Sequence, residues 1–127
     1  VGKLVCEAAE VPIVLPLFHT GMDRLLPQDD ENEVTRSFPD VKQRVRLLVG
    51  REVEVADIVR EYKQWRAVYD GPGGFDAHDP ASLQAESAEH RAARLEFYRR
   101  ATDRIMEAML KLDEEMREIE AREGRGE

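Results

Sequence analysis

The sequence predicts an α/β protein that ends in a long, charged C-terminal helix. Two short strand patterns and two helical patterns share residues 1–69, and a far longer helical pattern follows residue 80. A strand, then a helix, then strong chain breakers is typical of α/β folds rather than all-helical ones. We therefore expect part of an α/β domain over 1–69, a Gly/Pro loop over 70–80 and one long helix over 81–127.

Composition excludes several classes of protein. The chain has 127 residues, enough for one domain. Its formal net charge of −8 disfavours a nucleic-acid scaffold, because phosphate binding needs a basic surface. A lone cysteine excludes an internal disulfide framework. No apolar run reaches the roughly 18–20 residues of a membrane-spanning helix, and no targeting segment is recognisable.

The first elements are a short helix and a strand. Apolar residues follow helical spacing at Val1, Leu4, Val5 and Ala8. No N-cap residue precedes them, so we expect the chain to open inside a helix of a longer protein. Residues 11–18 form a continuous apolar run, which suits a strand buried on both faces, as in parallel sheets. Pro16 should end that strand or make it an edge.

The next elements alternate in the same way. Val45, Leu47 and Val49 recur at every second position before Gly50, which predicts a second strand. Helical spacing returns from residue 55 to about residue 69, and the glycines and proline of 70–74 end that helix.

A single long helix is predicted for the last part of the chain, with Ser82 as its cap. Its apolar residues alternate at spacings of three and four, and we call this set the heptad seam. The seam consists of Ala88, Ala92, Leu95, Tyr98, Thr102, Ile105, Met109, Leu112, Met116 and Ile119.

Few residues carry recognisable chemistry. A histidine oriented by a carboxylate is a general-base device, and His19 and Asp23 stand four residues apart. Gly21 between them argues against a helix that would bring the two together, so an ordinary loop histidine is the alternative. We expect His78 and His90 to be surface residues and Cys6 to be a buried, inert thiol.

Two stretches resemble the tafazzin family, mitochondrial phospholipid–lysophospholipid transacylases that remodel cardiolipin. The first runs from Gly2 to Val5, and the second is the Pro-Ile-Val-Leu-Pro-Leu-Phe-His-Thr-Gly-Met sequence of residues 12–22. Residues 45–51 resemble the family's next strand and turn. The resemblance covers residues 1–55 well, and it implies that 1–69 is the C-terminal part of a glycerolipid-acyltransferase domain.

The resemblance also implies which residues line the site. It assigns the wall of the substrate channel to Pro12, Pro16, Phe18, His19, Gly21 and Met22. The superfamily's catalytic His-x-x-x-x-Asp block is absent, because Arg24, Leu83 and Leu95 stand five positions after the three histidines. The implied partners are phospholipid, lysophospholipid and a mitochondrial membrane surface, with no metal or cofactor. This chain alone should be inactive, because it lacks that catalytic block.

A non-enzymatic function is the alternative. In that interpretation the helix over 83–119 docks a partner protein through the heptad seam. The catalytic block would then be missing because the chain is not an enzyme.

Overall fold

A computed structural model describes residues 1–25, 31, 42–69 and 74–126. The fold is mixed α/β, mostly helical, with one two-stranded sheet. The elements in chain order are α1 (Gly2–Cys6), β1 (Leu17–Thr20), α2 (Met22–Leu25), β2 (Arg46–Val49), α3 (Ala56–Tyr69), α4 (Pro80–Ala85) and α5 (Ala88–Arg125). They form two compact units: unit 1 is Val1–Val14 with Glu52–Glu107, and unit 2 is Leu15–Arg51 with Ala108–Glu127.

The sheet of unit 2 differs from the predicted one. β1 and β2 run antiparallel, with Leu17 opposite Val49 and His19 opposite Leu47. These four side chains form the open face of the sheet, where the three apolar ones are more than half exposed. The prediction of a parallel-type strand over 11–18, buried on both faces, is therefore wrong. The strand begins only after Pro16, which lacks the N–H that a ladder requires.

The other face of the sheet is covered by the C-terminal part of α5. Thr20 Oγ1 donates to Glu120 Oε1 at 2.9 Å, and the Arg46 guanidinium pairs with Glu123. The second strand is confirmed within a residue of its predicted bounds. It ends at Gly50, where a Cβ atom would lie 2.8 Å from the Pro16 ring and 3.1 Å from Leu112.

Unit 1 is built on α1, α3 and the first part of α5. The buried side of α1 is Gly2, Val5 and Cys6, whereas Val1 and Leu4 are exposed, so the predicted apolar face is wrong for those two. Gly2 decides the orientation of α1. A Cβ atom there would lie 1.9 Å from the Tyr98 carbonyl oxygen, and only glycine permits so close an approach to α5.

The helix predicted after the second strand is confirmed as α3. Its buried side chains are Ile58, Val59 and Tyr62, and Val55 just before it is also buried. Of the predicted 70–80 loop, residues 70–73 lie outside the described part of the chain. The rest includes a turn and the buried Ala77.

The single long helix predicted after residue 80 is two helices. Asp79, not Ser82, caps α4 by accepting the Ala81 and Ser82 N–H groups, with Pro80 at the first helical position. Glu86 then adopts an extended backbone, and the Ser87 hydroxyl accepts the His90 N–H at the start of α5. Local capping therefore restarts the helix.

Much of the heptad seam packs within its own units. Tyr98 is buried in unit 1, and Leu112 and Met116 are buried in unit 2. At the start of α5 the buried side is different, because Arg94 is enclosed there while Leu95 is about half exposed. These seam residues already have partners inside the chain.

Candidate functional site

The predicted substrate wall falls on both sides of β1. Pro16 is buried, and Phe18 is half-buried on the face that α5 covers. His19 and Met22 are exposed, His19 on the open face of the sheet. Pro12 is half-buried and belongs to unit 1. The predicted wall residues therefore do not share one face of the sheet.

The local backbone requires a glycine at position 21. Its φ of +88° lies in the left-handed region, and a Cβ atom would come 2.3 Å from the Arg44 carbonyl oxygen. The glycine lets the chain turn from β1 into α2 directly beside the irregular segment that precedes β2. The role implied by resemblance, close passage of a substrate, stays a prediction.

The predicted pairing of His19 with Asp23 is not formed, and the described histidines belong to no metal-type cluster. His19 shares no hydrogen bond or ion pair with Asp23. His78 is exposed, but His90 is largely enclosed, so the expectation of a surface residue is wrong for His90. No group of histidine, cysteine and acidic side chains within residues 1–25, 31, 42–69 and 74–126 has the arrangement of a metal site.

A buried carboxylate cluster in unit 1 escaped the sequence analysis. The Glu7 side chain is 5 % exposed and accepts hydrogen bonds from three groups. Tyr98 Oη donates to Glu7 Oε1 at 2.5 Å, and Tyr62 Oη donates to the same oxygen. Arg66 Nη1 donates to Glu7 Oε2 at 2.9 Å. We call these four residues the Glu7 cluster.

The polar groups of the Glu7 cluster are hydrogen-bonded to one another and are not set up to react. Burial, and after it the hydrogen bond to Glu7, raises the pKa of both Tyr62 and Tyr98, so the phenols stay protonated donors. Neighbouring Cys6 is buried, and burial raises the pKa of its thiol to about 11. The expectation of a buried cysteine is confirmed, and a protonated thiol is a poor nucleophile.

A second cluster joins α4 to α5. The Glu86 side chain is fully enclosed, and Arg94 Nε and Nη2 donate to its two oxygens at 2.7 Å each. His90 Nδ1 lies 2.6 Å from Glu86 Oε2, and the His90 ring packs on Trp65 and Phe75. The Arg94 hydrogen bonds lower the pKa of Glu86 to about 2. This carboxylate stays ionised and acts as a structural anchor.

A cavity of about 470 Å³ borders the Glu7 cluster. Lys63 and Arg66 stand at its wall, which would suit an anionic group. Both cations, however, already have partners: Lys63 Nζ donates to the Ala9 carbonyl oxygen, and Arg66 bonds Glu7 and the Phe75 carbonyl oxygen. The contacts therefore assign these side chains to holding α1 and α3 together.

No sequence signal marks the Glu7 cluster. Glu7 is 55 residues from Tyr62 and 91 from Tyr98, so no local spacing connects them.

None of the helices in the described residues is long and apolar enough to cross a bilayer.

Comparison with known proteins gives a partial similarity. A stretch of 64 residues is 33 % identical to tafazzin from Drosophila melanogaster. The stretch covers 50 % of this chain but 16 % of that protein. No family model matches the chain, and no solved structure matches it.

Proposed function

We propose that this chain is a C-terminal part of a tafazzin-like phospholipid–lysophospholipid transacylase, contributing to the substrate channel and not the catalytic base. The observation that carries the proposal is the 33 % identity to Drosophila tafazzin over 64 residues. The Pro-rich stretch of residues 12–22 is consistent with it, because an apolar strand with a histidine at its end offers lipid both a dry wall and a polar contact.

The proposed site residues have different roles. Pro16 and Phe18 would support the channel wall from the face of the sheet opposite His19, since both are apolar and at least partly enclosed. His19, exposed on the open face, would contact the polar head group. Gly21 and Met22 follow at the turn, where the wall ends, and Pro12 precedes it.

The proposed partners are phospholipid, lysophospholipid and a membrane surface that the protein meets from one side. Cardiolipin as the remodelled lipid and the mitochondrial membrane as the location come from the resemblance to tafazzin. The exposed apolar side chains of the open face are compatible with such contact, because apolar area removed from water stabilises binding.

A chimera tests the proposal. The matched stretch of Drosophila tafazzin is replaced by the corresponding 64 residues of this chain, and acyl transfer from phosphatidylcholine to monolysocardiolipin is measured. We expect the chimera to retain transfer, because the similar stretch would supply the same part of the substrate channel. The 127-residue chain alone should give none, since it lacks the His-x-x-x-x-Asp block.

Variants of the chimera locate the contact. His19→Ala should raise KM for the lysolipid more than it lowers kcat. This is the result expected for a side chain that binds the head group but takes no part in proton transfer. The matched control is Glu52→Ala, which removes an exposed side chain that lies outside the sheet. A larger effect of Glu52→Ala than of His19→Ala on KM would contradict the assigned role.

A further inference from the structure

A cavity lined by aromatic rings lies between α3 and the start of α5 in unit 1. Its volume of about 300 Å³ is at the lower end of the range of small-molecule sites. The Trp65 ring centroid lies 4.7 Å from that of His90 and 5.7 Å from that of Tyr69. Tyr69 is 70 % exposed. We call the lining residues the aromatic cleft, and they are Trp65, Tyr69, Ser87, Glu89, His90 and Ala93.

The cleft differs from the other aromatic groups of unit 1 in having no arginine on its rings. Guanidinium groups lie 5.1–5.9 Å from the ring centroids of Tyr62, Phe75, Phe97 and Tyr98. Within the described part of the chain, no such contact involves Trp65 or Tyr69. Tryptophan is the side chain that attracts cations most strongly through its ring. The ring best suited to a cation is therefore the one that the protein's own arginines leave uncovered.

The aromatic cleft also holds an unpaired carboxylate. Glu89 is exposed and shares no hydrogen bond or ion pair with any described residue. The nearby Glu86, in contrast, is fully enclosed and is paired with Arg94. No lysine or arginine belongs to the lining of the cleft. Ring faces beside a free carboxylate attract a cation, and the same carboxylate repels an anion.

An organic cation suits this lining better than a metal ion. Mg²⁺ and Ca²⁺ take about six or more oxygen ligands. The cleft offers the Glu89 carboxylate and two hydroxyls, of which that of Ser87 already accepts the His90 N–H. A trimethylammonium group needs no hydrogen-bond acceptor, because it has no N–H and its methyl groups can pack directly on rings. We propose that the aromatic cleft binds a trimethylammonium group, either of free choline or of a choline lipid head group.

This binding is separate from the proposed acyl transfer. None of the predicted wall residues lines the cleft, so binding can be measured in the full chain without any transfer. An inactive chimera would leave the cleft proposal standing, and a chain that does not bind choline would leave the transacylase proposal standing.

Fluorescence of Trp65, the single tryptophan of the chain, reports from within the cleft. The full chain is titrated with choline chloride, and the matched ligand is its neutral analogue, in which a tert-butyl group replaces the trimethylammonium. We expect saturation with a dissociation constant of about 1–10 mM, typical of a small ligand with few contacts. The analogue should bind at least about tenfold more weakly, because it lacks the charge. A response that does not saturate, or that sodium chloride or the analogue reproduces, would overturn the proposal.

Two substitutions locate the binding. Tyr69→Leu removes an exposed ring and Glu89→Gln removes the unpaired charge, and each should weaken choline binding at least about fivefold. The matched control is Glu114→Gln, which removes an exposed carboxylate of the same helix outside the cleft. It should leave the dissociation constant unchanged. Unchanged binding in both cleft variants, or an equal loss in the control, would overturn the proposal.

Vesicles distinguish the two sources of the ligand. The same fluorescence is followed with vesicles of phosphatidylcholine and, as the control, of phosphatidylglycerol, which has no trimethylammonium group. A change with phosphatidylcholine alone assigns the cleft to a lipid head group, and a response to choline without any response to vesicles assigns it to the free compound. Equal changes with both kinds of vesicle and no response to choline would overturn the proposal.

Discussion

Replacing Glu7 by alanine should strongly destabilise unit 1. The carboxylate is 5 % exposed and accepts from two phenols and one guanidinium, so the substitution leaves three buried donors without their acceptor. Removing one partner of a buried ion pair costs about 3–5 kcal/mol, because the remaining charge stays buried. Arg66 is partly exposed and can recover some hydration, so we expect about 3 kcal/mol.

Urea unfolding followed by far-UV circular dichroism measures this loss. The matched control is Glu10→Ala, three residues further along, where the side chain is exposed and the same charge is removed. Its free energy of unfolding should change by less than about 0.5 kcal/mol. The reasoning is refuted if Glu7→Ala costs less than about 1 kcal/mol, or no more than Glu10→Ala does.

Three further predictions follow from single contacts. Gly21→Ala should lower the free energy of unfolding in urea by about 1–3 kcal/mol, because alanine disfavours the positive φ and its Cβ would clash with the Arg44 carbonyl oxygen. Gly124→Ala, which has open space around it, should not lower it. The pKa of Glu86 is lowered to about 2, so its ion pair with Arg94 stabilises the fold fully above about pH 4.5 and is lost as the pH falls towards 2. Thermal unfolding of Glu86→Gln should therefore lose less stability over that range than the wild type, and parallel curves would contradict this. Cys6 should react with iodoacetamide at pH 8 only after denaturation, as mass spectrometry can follow, and rapid labelling of the folded chain would contradict its burial.

Elements with a strong local pattern were predicted well. α3 combines helical spacing with following breakers, and β2 alternates cleanly, so each pattern has one interpretation. The run at 11–18 was predicted as a strand buried on both faces, because its apolar residues are continuous. The observed strand begins only at Leu17 and pairs antiparallel with β2, which leaves one face of the sheet exposed.

Long-range contacts explain the remaining differences. The buried side of α1 depends on the close approach of Gly2 to Tyr98, almost a hundred residues away. The break before α5 depends on Asp79 and Ser87 acting as caps at two nearby positions, where the seam pattern suggested one continuous helix. Spacing along the chain cannot reveal which distant side chains meet.

The candidate site likewise has a part that a local sequence motif predicted and a part that only long-range contacts create. The predicted wall from Pro12 to Met22 is a contiguous stretch, so a local motif could single it out. The Glu7 cluster is assembled from α1, α3 and α5, and Glu7 alone looks like an ordinary surface acid. What the wall binds stays a prediction, whereas the contacts of the cluster follow directly from the fold.

Acyl transfer by the tafazzin chimera tests the central claim most directly. The assay follows a labelled acyl chain from phosphatidylcholine to monolysocardiolipin and compares the chimera with unmodified Drosophila tafazzin. Our account predicts transfer within about tenfold of the parent rate, a difference of about 1.4 kcal/mol in barrier. A chimera that folds with the parent's helix content but transfers no more than a sample without enzyme would contradict it.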